Sequence, residues 1–270
     1  MGKQLDLYRK WKKAKSQLEE IATSAETAVV IHYSCESFYD RTVPESPRIT
    51  SIAVRNLDTG QTKSFSIHLM AERQNKLTSI EEHYNSLERS MLEEFYEHAK
   101  TLQHYKWIHW NMRDANYGFE ALEHRLKVLG GVPFHIDERN RFDLSRILVS
   151  LFGVGYIGHP RLEKLINLNK ITSQNILTGK EEAEAFVQKQ FVRLHQSTLR
   201  KVDVLANITD RTHHNELKTL ATWWAQHGRS FKAIIEWLKE HWLISAISVL
   251  TTTGIIMFKA WNLLGLFVHS

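Results

Sequence analysis

The sequence predicts an α/β fold in which helices flank a mixed sheet, followed by a C-terminal membrane-spanning helix. Three β-rich runs come first, at residues 28–33, 49–56 and 62–69, with turn residues between the last two. A helical periodicity then leads into a fourth apolar run at 105–110. The last signal is a stretch from Trp242 to Phe258 that carries no charged residue.

The first half of the chain predicts one helix and three strands. Residues 5–25 place apolar side chains at intervals of three and four, which is typical of an amphipathic helix. The run 28–33 reads AVVIHY and predicts a buried strand. The sequence Asp58-Thr59-Gly60 separates the next two runs and predicts a hairpin, because Gly supplies the backbone freedom a tight turn needs.

The middle of the chain predicts a long helix, a strand and a second helix. Residues 79–103 are amphipathic, with Ser79 and Glu82 spaced as a capping box. After the strand at 105–110, a helix at 117–129 ends at Gly130-Gly131. A short strand at 134–136 follows. The remaining helices are predicted at 143–151, 161–168, 181–194, 198–209 and 217–241.

This order of elements predicts a mixed sheet. Strands joined by short turns pair antiparallel, whereas a strand that returns through a helix pairs parallel. We therefore divide the chain into an N-terminal amphipathic helix (1–26), an α/β domain (27–212), a helical linker (213–241) and a transmembrane anchor (242–267).

The anchor follows from the length and composition of the C-terminal run. A membrane-spanning helix needs roughly 20 mostly apolar residues, and Lys259 can extend its ammonium to an interface. A buried core helix and a helix lying flat on a bilayer are the alternatives. The charged N-terminus is not a secretory signal, so the sequence predicts a single-pass membrane protein with its N-terminal head in the cytoplasm.

Composition restricts the function less than the pattern of apolar residues restricts the fold. The net charge of +5 is compatible with nucleic acid, with an anionic lipid surface, or with neither. The single cysteine, Cys35, excludes an intramolecular disulfide. The chain has no P-loop, and the glycines of GVGYIG at residues 153–158 precede no predicted strand-to-helix phosphate turn.

Three short motifs, in order along the chain, carry a resemblance to a known family. The first strand runs into Ser34-Cys35-Glu36, the fourth strand is followed by Asp114, and Asp203 lies on a late helix five residues after Thr198. Asp143-Leu144-Ser145 adds a fourth similarity. In this order the chain resembles the ribonuclease H-like DEDD 3′–5′ exonucleases over residues 28–208, which implies a ribonuclease H-like fold.

The resemblance implies a two-metal site. Its catalytic residues and metal ligands would be Glu36, Asp114 and Asp203, holding Mg²⁺ or Mn²⁺ for hydrolysis of a phosphodiester. Hard carboxylate oxygens are the ligands that Mg²⁺ prefers. Two family positions differ, because Ser34 stands where the family has its metal-bridging Asp and Thr198 where it has a His.

Each residue also has a structural interpretation. Glu36 could be an ordinary loop carboxylate, Asp114 a helix N-cap, and Asp203 a solvated ion-pair partner of a neighbouring cation. Asn116 competes with Asp114 for the second site, and Asp40 lies near the first. His109 and His195 have the sequence neighbours of structural histidines.

Three functions therefore stay open. The first is a membrane-tethered, metal-dependent nuclease acting on nucleic acid. The second is an inactive ribonuclease H-like scaffold that binds nucleic acid or a protein partner. The third is a membrane-associated assembly factor that uses helices 5–25 and 231–242 as contacts.

Overall fold

A computed structural model describes residues 3–36, 46–113 and 117–221 of the chain. The chain divides into two compact units, one of Met1–Lys12 with Thr222–Ser270 and the other of Lys13–Ala221. In the first unit the described residues are 3–12, which are helical. In the second unit the described residues are 13–36, 46–113 and 117–221.

In the described elements, three consecutive strands follow the N-terminal helix, a fourth strand follows a long helix, and several helices come last, as the sequence predicts. The strands are β1 (Ala28–Cys35), β2 (Ile49–Asn56), β3 (Thr62–Ser66), β4 (Lys106–His109) and β5 (Arg141–Asp143). The helices are α1 (Lys3–Thr23), α2 (Ile67–Arg73), α3 (Tyr84–Thr101), α4 (Phe119–Val128), α5 (Leu144–Phe152), α6 (Arg161–Leu168), α7 (Gly179–Val187) and α8 (Phe191–His213).

The five described strands form one mixed sheet in the order β3-β2-β1-β4-β5. β1, β2 and β3 pair antiparallel, and β4 and β5 continue the sheet parallel to β1. The predicted α/β class and mixed sheet are therefore confirmed. The β1–β2 register pairs Val30 with Arg55 and Ser34 with Ser51, and a bulge follows Ser34.

The two faces of β1 have different surroundings. Val29, Ile31 and Tyr33 belong to a large buried cluster that includes apolar side chains of α3 and α4. Alternate residues of a strand point to opposite faces, so Val30, His32 and Ser34 face away from that cluster. The closest helix on their side is α8, which packs along both β1 and β2. This second face carries the buried polar residues His32, Ser34 and Ser51.

Three predicted elements differ from the observed ones. The strand predicted at 62–69 ends at Ser66, whose hydroxyl accepts a hydrogen bond from the Leu69 N–H and caps α2. The capping box predicted at Ser79 does not form, because Ser79 ends a 3-10 turn and α3 begins at Tyr84. Residues 134–136 are not a strand. The fifth strand is β5, whose three residues are too short for a sequence pattern.

The helices after β5 also differ in detail. The predicted helix 181–194 is two helices, because Lys189 adopts a left-handed conformation (φ 59°) between α7 and α8. The described part of the predicted helix 217–241, residues 217–221, is not helical. There the Asn169 side chain holds the backbone of Lys218, accepting from its N–H at 2.8 Å and donating to its carbonyl at 3.0 Å.

The predicted anchor at 242–267 lies outside the described residues. Within residues 3–36, 46–113 and 117–221, none of the helices is both long and apolar enough to cross a membrane. The membrane-spanning helix therefore stays a prediction.

Candidate functional site

A cluster of hydroxyl groups lies between the sheet and α8. Ser34 of β1 and Ser51 of β2 are cross-strand partners. The Thr198 Oγ1 atom lies 2.8 Å from the Ser34 Oγ atom and 2.6 Å from the Ser51 Oγ atom. All three side chains are buried. The structure thus brings together the two positions, Ser34 and Thr198, at which the sequence departs from the exonuclease motifs.

A buried ion pair completes this cluster. The Lys201 ammonium of α8 lies 2.7 Å from Oε1 of Glu182 on α7. The same oxygen accepts hydrogen bonds from Ser34 Oγ at 2.9 Å and from Ser197 Oγ at 3.2 Å. The charged side chains are only 9% and 15% exposed. We call Ser34, Ser51, Glu182, Thr198 and Lys201 the hydroxyl–lysine cluster.

Local structure explains why these residues meet. Thr198 and Lys201 are three residues apart on α8, and this spacing places them on one helix face. Glu182 lies in the first turn of α7, which begins with a capping box between Thr178 and Glu181. The strand periodicity of two brings Ser34 to the face that α8 covers.

Two aromatic groups lie next to this cluster, the buried His32 and the partly buried Tyr117. His32 lies on the same face of β1 as Ser34, and its Nδ1 atom is 3.3 Å from the Tyr117 hydroxyl. Burial, reinforced by the positive charge of Lys201, lowers the pKa of His32 well below its ordinary value. Burial also raises the pKa of Tyr117 well above its ordinary value. Both side chains are therefore neutral near pH 7.

Glu36 lies just beyond the bulge at the end of β1. Its backbone N–H donates to the Arg48 carbonyl, and its carboxylate Oε2 lies 3.5 Å from Arg48 Nε. The Arg48 guanidinium in turn lies 4.7 Å from the ring centre of Tyr84. Glu36 is thus an ion-paired side chain next to the start of β2.

Asp203 contacts a different arginine. Its Oδ1 atom lies 3.2 Å from Arg55 Nη1, and its Oδ2 atom lies 3.4 Å from Arg200 Nη1. Arg55 pairs with Val30 near the start of β1, whereas Glu36 follows the end of that strand. The two carboxylates therefore contact arginines near opposite ends of the β1–β2 ladder.

Asp114, the third predicted carboxylate, lies outside the described residues, as do Asn116 and Asp40. The site of Glu36, Asp114 and Asp203 therefore stays a prediction as a set. Among the residues that the structure describes, no group of three or more His, Cys, Asp or Glu side chains is arranged to hold a metal ion. Asp143, the fourth similarity, caps α5 and pairs with Arg113 at 3.0 Å.

The two singled-out histidines are buried. His109 on β4 has its pKa lowered to about 4 by burial, and its Nδ1 atom accepts a hydrogen bond from the Met112 N–H. His195 on α8 has its pKa lowered to about 4 by burial and by neighbouring His68. Its Nε2 atom lies 3.3 Å from the hydroxyl of Ser64. Both contacts are those of packed, neutral histidines.

Sequence reasoning singled out Ser34 and Thr198 but missed Glu182 and Lys201. A signal existed for Lys201, since it follows Thr198 by three residues on a predicted helix. Glu182 gave none, because one glutamate among several in an acidic stretch carries no spacing information.

Comparisons with known proteins assign no family to the chain. No family model matches it, and no curated protein and no solved structure is significantly similar to it. The likeness to ribonuclease H-like exonucleases thus depends on the chain's own motifs and remains a proposal.

Proposed function

We propose that this chain is a catalytically inactive ribonuclease H-like scaffold, tethered to a membrane, that binds a partner and does not hydrolyse phosphodiesters. The observation that carries the proposal is the hydroxyl–lysine cluster. It contains both positions at which the chain departs from the exonuclease motifs, Ser34 and Thr198, in direct contact at 2.8 Å.

The sheet topology supports the fold part of the proposal. The resemblance implies antiparallel strands first and a later strand that returns through a helix. β1, β2 and β3 are antiparallel, and β4 pairs parallel to β1 after the intervening helices α2 and α3. β5, which ends at Asp143, pairs parallel to β4.

The hydroxyl–lysine cluster does not fit the Mg²⁺ or Mn²⁺ that the resemblance implies. Divalent cations of this kind are held by several carboxylates, which offset their charge. The cluster has one carboxylate, Glu182, and it is already neutralised by the Lys201 ammonium at 2.7 Å. A dication placed beside that ammonium would be repelled in a poorly solvated site. We therefore derive no metal-dependent step there.

The scaffold proposal is tested by an activity assay on the full-length chain. Labelled single-stranded oligonucleotides are incubated with Mg²⁺ and, separately, Mn²⁺, beside Asp203→Asn and Glu36→Gln variants. We expect the same background loss of label in all three proteins. Metal-dependent hydrolysis by the wild-type chain that either variant abolishes would overturn the proposal in favour of a nuclease.

A thermal melt gives an independent readout of metal binding. A ligand that binds only the folded chain raises the midpoint as its concentration exceeds its Kd. We expect millimolar Mg²⁺ or Mn²⁺ to leave the midpoint unchanged. A metal-dependent rise that disappears in Glu182→Gln would show that the cluster does hold a cation.

The tether is supported by the sequence of residues 242–267 alone. Deleting every residue after Glu240 should move the chain from the membrane fraction to the supernatant. The intact chain should also resist an alkaline carbonate wash, which releases proteins held only at the surface. A truncated chain that still sediments with membranes would refute tethering by this segment.

A further inference from the structure

A small pocket rich in basic side chains lies beside the C-terminal half of α8. Its volume is about 370 Å³, and β2, the segment after α6, and α8 line it. Its four cationic residues are Arg55, Lys170, Arg200 and Arg211. We call this the basic pocket.

The charges in the basic pocket are unbalanced. Asp203 is the single carboxylate in its lining, so four cations minus one anion leave an excess of three positive charges. Asp203 is shared between Arg55 and Arg200. Within the described residues, Lys170 has no anionic partner, and the Arg211 side chain donates only to the Asn207 amide oxygen, at 2.8 Å.

Arg55 is held in place by the turn between β2 and β3. Its Nη1 atom donates to the Gly60 carbonyl at 2.6 Å. Gly60 has a φ of 70°, a conformation that favours glycine, and a Cβ atom there would lie 2.9 Å from Arg55 Nη2 and would displace the guanidinium. The Arg55 Nε atom is buried, with no hydrogen-bond partner among the described residues. A buried donor of this kind is costly unless a ligand or water satisfies it.

We propose that the basic pocket binds the phosphate group of a small phosphorylated ligand. Guanidinium groups match the geometry of phosphate oxygens, and an ammonium adds a compact point charge. A pocket of about 370 Å³ is at the small end of the range for small-molecule sites. A nucleic-acid strand would instead need cations spaced along several successive phosphates. The proposal is independent of the hydroxyl–lysine cluster and of whether the chain hydrolyses anything.

Pyrophosphate and inorganic phosphate are the probes for the full-length chain. Isothermal titration and thermal melts should show saturable binding, with pyrophosphate tighter than phosphate because it offers more oxygens to the cations. Lys170→Gln and Arg211→Gln should each weaken pyrophosphate binding by roughly tenfold or more, since each removes a charged contact. Arg55 is left intact because its replacement would also disturb the turn and Asp203.

Matched controls separate the pocket from general attraction to a basic surface. Lys180→Gln and Arg139→Gln change cations that are 87% and 88% exposed and lie outside the pocket, and they should leave affinity within about twofold. No saturable binding would overturn the proposal, as would equal weakening by the control variants. The proposal would also be overturned if the chain bound an oligonucleotide without a terminal phosphate, lost that binding in Lys170→Gln or Arg211→Gln, and did not bind pyrophosphate. That result would indicate a nucleic-acid surface instead.

Discussion

Two buried ion pairs lie on opposite faces of the sheet and are built differently. On the face of α3 and α4, Arg125 binds Glu88 with two nitrogens, at 2.5 Å and 2.9 Å. Glu88 also accepts from the Ile49 N–H at 2.6 Å and is fully buried. On the α8 face, Lys201 contacts Glu182 with one ammonium, and hydroxyl groups supply the other contacts.

The difference indicates what each pair does. The guanidinium of Arg125 fixes the relative positions of α3, α4 and the start of β2, because its planar fork constrains both partners. The Glu88 side chain is fully buried, and this burial raises its pKa in spite of the guanidinium. The Lys201 ammonium is a single point charge, and Ser34 and Ser197 hydroxyls share its partner oxygen on Glu182. The first pair braces three elements, whereas the second joins α7 to α8 through one contact.

The largest expected effect comes from Arg125→Ala. It would leave the Glu88 carboxylate buried without its partner, which costs about 3–5 kcal/mol of unfolding free energy in comparable pairs. Denaturant unfolding measures this loss. The control is Arg89→Ala, whose partner Glu93 is one helical turn away and half exposed, and it should change stability by less than about 0.5 kcal/mol. Equal losses of unfolding free energy in Arg125→Ala and Arg89→Ala would contradict the conclusion that the Arg125–Glu88 pair braces the fold.

Lys201→Met should cost less, about 2–3 kcal/mol, because Glu182 keeps its contacts with two hydroxyls and some exposure to water. The control is Lys180→Met, an exposed lysine 3.9 Å from Glu184, which should be nearly neutral. Adding Glu182→Gln to Lys201→Met should recover part of the loss, since no charge is then left unpaired. A cost equal to that of Arg125→Ala would erase the distinction between the two pairs.

Ser51→Ala tests the hydroxyl part of the α8 face. It removes the 2.6 Å contact with Thr198, but Thr198 keeps its contacts with Ser34 and the Leu194 carbonyl. We expect a loss of about 1 kcal/mol, the usual net contribution of one buried hydrogen bond. Ser90→Ala removes an exposed hydrogen bond from Ser90 Oγ to the Ser86 carbonyl within α3; it is the control and should cost little or nothing. A neutral Ser51→Ala would mean that the hydroxyls fill space without adding stability.

The sequence predicted the sheet better than the site. Strands β1, β2 and β4 could be predicted because each is an apolar, β-rich run bounded by turn residues. The antiparallel pairing of β2 with β3 follows from the hairpin at Gly60. β5 could not be predicted, because three residues are too few to show the alternation of apolar and polar side chains that marks a strand. The start of α3 was misplaced because Ser79 and Glu82 have capping-box spacing, but a 3-10 turn takes up Ser79 instead.

The hydroxyl–lysine cluster could not be predicted as a set, because its members lie far apart in the sequence. Ser34 and Thr198 are 164 residues apart, and only the packing of α8 over β1 brings them together. Their motif positions singled them out, but the motif could not show that a lysine and a glutamate would complete the cluster. The basic pocket could not be predicted either, because its cations lie far apart along the chain with no shared pattern: Arg55 on β2, Lys170 after α6 and Arg211 on α8.

The last prediction concerns acid sensitivity of the α8 face. His32 is neutral when folded because its pKa is lowered, whereas the unfolded chain takes up a proton near pH 6.5. The unfolded state therefore binds more protons below about pH 6.5, and the stability that neutral His32 contributes is lost as the pH falls. His32→Gln should reduce the slope of unfolding free energy against pH below 6.5 by up to about 1.4 kcal/mol per pH unit, the limit for one proton. Glu88 acts in the opposite sense, because its raised pKa makes its contribution to folded-state stability grow as the pH falls toward 4.5, below which that contribution is complete. Denaturant unfolding between pH 7 and 5, with exposed His104→Gln as the control, separates the two faces. An unchanged slope in His32→Gln would show that the α8 face admits water and that His32 is not held neutral there.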